Sequence, residues 1–144
     1  MDGLNQLVEW GVIGLLFALS VWALAVALER FAFYRRLQPA DYATRVELEV
    51  ALTRRLTVIG TVAANAPYIG LLGTVLGIML TFQSMGASGD MDVKSIMTGL
   101  ALALKATAMG LLVAIPCVAL NNALRRRVRE RLAEFDAAKE RAGG

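Results

Sequence analysis

The charged residues of this 144-residue chain are bunched, and long apolar stretches lie between the bunches. Residues 11–28, 56–89 and 106–124 contain no Asp, Glu, Lys or Arg. A membrane span needs about 20 apolar residues, within a range of about 17–25. The first and third stretches fit one helix each. The second is long for one helix but too short for two spans and a turn. Pro67 inside it is tolerable, because neighbouring helices can satisfy the carbonyl that a proline frees. The pattern predicts an all-α membrane protein with three transmembrane helices, at about 9–30, 57–86 and 95–124. Residues 1–144 then form a single integral-membrane domain, with a cytoplasmic loop at 31–55, an external loop at 87–94 and a cytoplasmic tail at 125–144.

The connecting segments are short. Pro39 is expected to end the first helix, and residues 41–55 read as a short cytoplasmic helix leading into the second. The run GASGD at 86–90 marks the external turn. Beyond Leu124, apolar residues recur at Val128, Leu132 and Phe135, the spacing of a helical extension whose stripe packs on neighbours. Arg126 and Glu130 stand four apart on it. Trp10, Trp22, Phe31, Phe33 and Tyr34 suit anchoring at the membrane interface.

Composition agrees. At 57% hydrophobic residues and a mean hydropathy of +0.57, the chain is no ordinary soluble domain. Charge then sets direction. All of the 15 basic residues except Lys94 and Lys105 fall between the first two helices or after the third. The positive-inside rule places those segments in the cytoplasm and the N-terminus outside. The absence of a basic N-terminal region speaks for a retained anchor over a cleaved signal peptide. The net charge of +3 is explained by topology and anionic lipid, without nucleic acid. With three helices only, a monomer has little interior for polar residues, so self-association is expected. The single Cys117 reads as a small core residue.

Candidate chemistry is sparse. At about 100° per residue, Thr74 shares a face with Pro67, Gly70, Gly77 and Thr81, and Thr107 with Ala103, Gly110, Ala114 and Asn121. Both faces are small and faintly polar, and Gly73 and Gly77 form a GxxxG spacing that allows close helix approach. Thr74 lies 19 residues beyond Arg55 and Thr107 18 residues before Arg125. Both hydroxyls therefore sit at one depth and can form a polar ring in a symmetric oligomer. The same faces suit plain helix packing, with each hydroxyl bonded to its own i−4 carbonyl. Gly70, Gly73, Gly77, Gly110 and Pro116 are the expected packing positions.

Lys105 is a lone charge two residues before Thr107. About 200° of helix rotation separates the two. Snorkelling to the external interface, or pairing with a neighbouring subunit's acid, is the expected role. No Asp or Glu lies between Arg55 and Asp90 or between Asp92 and Glu130, and the chain has no His. Proton relays through membranes ordinarily use those residues, so another polypeptide would have to supply the titrating group. No nucleophile–base pair, metal cluster or phosphate loop appears, so neither enzyme activity, cofactor nor metal is expected.

Two blocks, NAPYIGLLGTVLGIMLTF at 65–82 and ALKATAMGLLVAIPCVALNN at 103–122, resemble the paired helices of the ExbB/TolQ/MotA proton-channel family. The likeness is greatest to its compact ExbB members. The resemblance implies a homopentamer in the bacterial inner membrane, whose second and third helices line a pore. That pore would hold the single-span helices of an ExbD-like partner carrying the protonatable Asp. Thr74 and Thr107 match the family's pore threonines. Proton motive force would then drive a TonB-like protein serving outer-membrane transport. The alternatives are a TolQ-like or MotA-like energiser of another process, and a non-conducting scaffold held by Gly70, Gly73 and Gly77. This chain departs from the pattern at Leu102, where ExbB and TolQ proteins commonly carry Glu. Its cytoplasmic loop is short, and no N-terminal periplasmic extension is expected.

Overall fold

The structure, a computed structural model, describes residues 2–89 and 92–143. Helix α1 (Asp2–Arg36) is followed by a 3-10 turn (Pro39–Asp41), a short helix α2 (Arg45–Thr53), α3 (Leu56–Ser88) and α4 (Val93–Gly143). No strand occurs among the described residues. Helices α1, α3 and α4 are each long and apolar enough to cross a membrane. Each extends beyond its expected span, and α4 carries the predicted cytoplasmic extension in one unbroken helix. Both α3 and α4 run through their internal prolines, Pro67 and Pro116.

The ends of these helices have physical causes. Thr44 caps α2 by accepting a hydrogen bond from the Glu47 N–H at 3.1 Å, the Thr-x-x-Glu spacing of a capping box. At the other end, the last carbonyls of a helix have no partner within it. Here α1 supplies them: Arg30 donates to the Ala51 carbonyl at 3.0 Å, and the Tyr34 hydroxyl donates to that of Leu52. Tyr34 is thus buried in the chain and is not the interfacial anchor that its position after the first span suggests. Helix α3 then starts at Arg55, whose φ of 67° is left-handed. It runs past Gly86 and stops where Gly89 takes a φ of 72° and donates its N–H to the Met85 carbonyl. The turn therefore falls later than the sequence run suggests, and its Asp90 lies outside the described residues.

The largest core is in the region expected to be cytoplasmic. Tyr34, Leu48, Leu52, Leu56, Leu124 and Leu132 belong to one buried cluster joining α1, α2, α3 and the extension of α4. The stripe Leu124, Val128, Leu132 and Phe135 is thus buried within its own chain. Within the spans many buried positions are small, as in Ala23, Ala63, Ala66 and Ala114, beside larger ones such as Leu16 and Val62. Large apolar side chains point outward, among them Phe17, Trp22, Leu72, Met79, Leu112 and Ile115. Exposure of such side chains on every long helix suits lipid or a second protein surface as the surroundings.

Candidate functional site

The site is assembled where α3 and α4 lie side by side, and glycine sets how near they come. A Cβ placed on Gly70 would fall 2.7 Å from the Ala106 carbonyl oxygen, and one on Gly110 2.6 Å from that of Ala66. At such distances no side chain fits at either position unless the helices move apart, so the two backbones touch there. One turn further along, a Cβ on Gly73 would meet Ala106 at 2.8 Å and Val12 of α1 at 3.1 Å. Gly73 therefore seats α1 as well as α4, while Gly77 faces Ala103. Gly99, which sequence reasoning did not single out, lies directly against Thr81. Its signal is weak, since an isolated helical glycine identifies no partner. Pro116 differs from expectation: it is exposed, turned off the buried stripe of Ala114 and Cys117.

Close backbones bring the two threonines together. The hydroxyls of Thr74 and Thr107 are hydrogen-bonded to each other across the α3–α4 contact. Thr74 is 7% exposed, and its Oγ1 lies 2.9 Å from the Ala103 carbonyl and 3.3 Å from its own Gly70 carbonyl. A hydroxyl has one hydrogen to donate and two lone pairs. Thr74 donating to Ala103 can accept from Thr107, which leaves the half-buried Thr107 lone pairs free for a further donor. The pair forms within a single chain, at one depth, before any ring of subunits is invoked. The bond to Gly70 is the i−4 contact that plain packing implies; the shorter one, to Ala103, crosses to the other helix.

Lys105 does not await a neighbouring subunit. Its Nζ is 3.3 Å from Glu9 Oε1 of its own chain. The Glu9 side chain is 18% exposed and that of Lys105 53%. Counting acids only in the second and third helices missed Glu9, although the expected first span begins at that residue. Glu9 also borders a cavity of about 40 Å³ between α1, α3 and α4, which Gly73, Gly77, Thr81, Leu102 and Ala103 line. Leu102 of α4 therefore lines the space that Glu9 borders from another helix. Among the described residues, no group of His, Cys, Asp and Glu is placed to hold a metal ion.

At the opposite end of the α3–α4 contact, Arg125 donates to the Asn121 side chain at 3.3 Å beside Gly60. Asn121, placed by sequence on the Thr107 face, thus meets the first arginine of the basic tail.

Comparison with known proteins adds to this geometry. The family described as the MotA/TolQ/ExbB proton channel family matches residues 26–137. A biopolymer transport protein ExbB of Aquifex aeolicus is 50% identical over 137 residues, covering 95% of this chain and 93% of its own. An ExbB-like 2 protein of Helicobacter pylori is 54% identical over 124 residues, covering 86% and 83%. The Tol-Pal system protein TolQ of Haemophilus influenzae is 40% identical over 92 residues, covering 64% and 40%.

Proposed function

This chain belongs to the MotA/TolQ/ExbB proton channel family, and we propose that it is the channel-forming subunit of an energiser for TonB-dependent outer-membrane transport. The ExbB names of relatives that cover nearly all of the chain support this reading. In it, the chain assembles as a homopentamer in the bacterial inner membrane. Its N-terminus is periplasmic and its C-terminus cytoplasmic. An ExbD-like single-span protein supplies the protonatable Asp, and a TonB-like protein receives the work.

The observation that carries the proposal is the Thr74–Thr107 pair. Two hydroxyls joined across apolar stretches, residues 56–89 and 106–124, that contain no acid cannot hold a proton, but they can pass one or orient a donor. The lone pairs left on Thr107 are where a partner's carboxylic acid would dock. Division of labour follows from the chemistry: one polypeptide holds the hydroxyls and the other brings the titrating group.

The test is proton-driven uptake in cells carrying Thr74→Val with Thr107→Val, alongside a measurement of complex assembly. Assembly intact with uptake abolished is the expected result, and uptake at the wild-type level with the double variant rejects the pore role. A scaffold would give the opposite pattern, with threonine changes silent and Gly73→Leu disrupting the oligomer. The TolQ relationship supports a second reading, an energiser of cell-envelope work other than nutrient uptake. The phenotype of a deletion strain separates the two.

A further inference from the structure

The Glu9–Lys105 ion pair lies beside a partly open space between α1, α3 and α4, and Glu9 lines it. This cavity of about 40 Å³ has a carboxylate and the Thr81 hydroxyl on its wall. A water needs on the order of 10–15 Å³ of such volume and two or more polar partners. The space therefore has room for water, and polar groups to hold it. Its wall is shared with the threonine site: Gly73 adjoins Thr74, and Ala103, which lines the cavity, accepts the Thr74 hydrogen bond through its carbonyl. Glu9 and the hydroxyl pair thus lie on either side of a water-sized space, with Gly73 and Ala103 between that space and Thr74.

We propose that Glu9 is the proton-entry carboxylate of this chain, and that Lys105 is the residue that positions it. The inference rests on the proposed channel function and adds to it a titrating group that the chain itself carries. One Glu9 oxygen takes a proton from hydronium on the external side, forming an O–H bond and leaving a neutral water. The carboxylic acid then gives the proton to water in the cavity, which hands it toward Thr74 and Thr107. The carboxylate is regenerated, and nothing is oxidised or reduced. The residue types match these tasks. Hydroxyls conduct only a proton that is delivered to them, and an ammonium group donates without being able to accept. Among the described residues, Lys105 is the one charged group recorded against Glu9. The remaining cavity wall, from Val8 of α1, through Gly73, Gly77 and Thr81 of α3, to Gly99 and Leu102 of α4, is uncharged. The ion pair turns the carboxylate toward Lys105 and ties α1 to α4.

The competing role is that of a tie alone, and variants of the complex reconstituted in liposomes with its single-span partner separate the two. Glu9→Gln should lower proton flux about a hundredfold or more, a size typical of losing an acid–base group, with assembly unchanged. Glu9→Asp should restore a substantial part, and Glu9→Gln with Lys105→Gln should stay as low as the single change. A hydrophobic carbodiimide, which reacts with protonated carboxyl groups, should modify Glu9 in the wild-type complex more at acidic than at alkaline external pH, and block flux. Restored flux in the double variant overturns the proposal, because the pair would then be only a tie. So does wild-type flux after complete Glu9 modification, a readout that survives if Glu9→Gln fails to assemble. Thr74→Val with Thr107→Val, run in parallel, keeps the two readings apart. Glu9→Gln conducting while the threonine variant does not rejects Glu9 alone. Both conducting like wild type rejects the channel reading with it.

Discussion

Gly70 and Gly110 oppose each other across the α3–α4 contact, where a Cβ on Gly110 would lie 3.0 Å from the Gly70 Cα. No flexible side-chain end is there to yield, so the helices themselves would have to part. Gly110→Ala should cost about 1–3 kcal/mol, the range for overpacking, read as a lowered thermal midpoint in detergent. Gly14→Ala is the comparison. A Cβ there meets nothing within 4 Å, and alanine is the better helix former. Equal midpoints for the two variants would reject close backbone contact at Gly110.

Thr74 tests how much of the hydroxyl pair is structural. Thr74→Val removes the hydrogen bond to Ala103 and the link to Thr107. Hydrogen bonds between membrane helices average about 0.6 kcal/mol with a maximum of about 1.7, so the loss of stability should be small. Proton flux should fall far more, and Thr74→Ser should recover it. A variant unstable enough to lose assembly would place the hydroxyl's value in packing.

Arg30 and Tyr34 complete the C-terminal end of α2 from a helix away. A cation there also favours the negative end of the helix dipole. Arg30→Gln should cost about 2 kcal/mol, as expected when a charged hydrogen bond is lost and a carbonyl is left unpaired. The measurable signs are a lower thermal midpoint and faster proteolysis within residues 42–55. Unchanged proteolysis would show that α2 is held by the apolar cluster alone.

Arg55 is the described non-glycine residue with positive φ. Left-handed backbone costs an L-residue about 1–2 kcal/mol, and glycine does not incur it. Arg55→Gly should therefore be more stable than Arg55→Ala by about 1 kcal/mol. Both lack the charge, so their difference isolates the conformation. Equal stabilities would mean that α3 starts equally well without this turn.

Orientation is checked by labelling. In a Cys117→Ser background, Gly3→Cys should react with a membrane-impermeant maleimide in intact spheroplasts, and Gly143→Cys only after lysis. The reverse pattern would put the basic tail outside and reject the N-out topology.

Much was legible in the chain itself. Three helices capable of spanning a membrane follow from where charge is absent, and the helical extension of the tail with its apolar stripe from a period of 3.6. These are properties of single segments, fixed by membrane thickness and helix geometry whatever the neighbours do. The equal depth of Thr74 and Thr107 was also readable, because both are counted from the same basic boundary. That the two hydroxyls bond within one chain was not, since it depends on how far Gly70 and Gly110 let the helices approach. Lys105 shows the limit most clearly. Sequence marked it as a charge needing a partner, but Glu9 stands 96 positions away and meets it only because α1 is seated against Gly73 through Val12 and packs on α4. Tyr34 left the interface for the same kind of reason: the free carbonyls of α2 happened to lie within its reach. Local composition decided which segments can cross the membrane, and helix-to-helix register, a property of no single segment, decided which polar groups meet inside it.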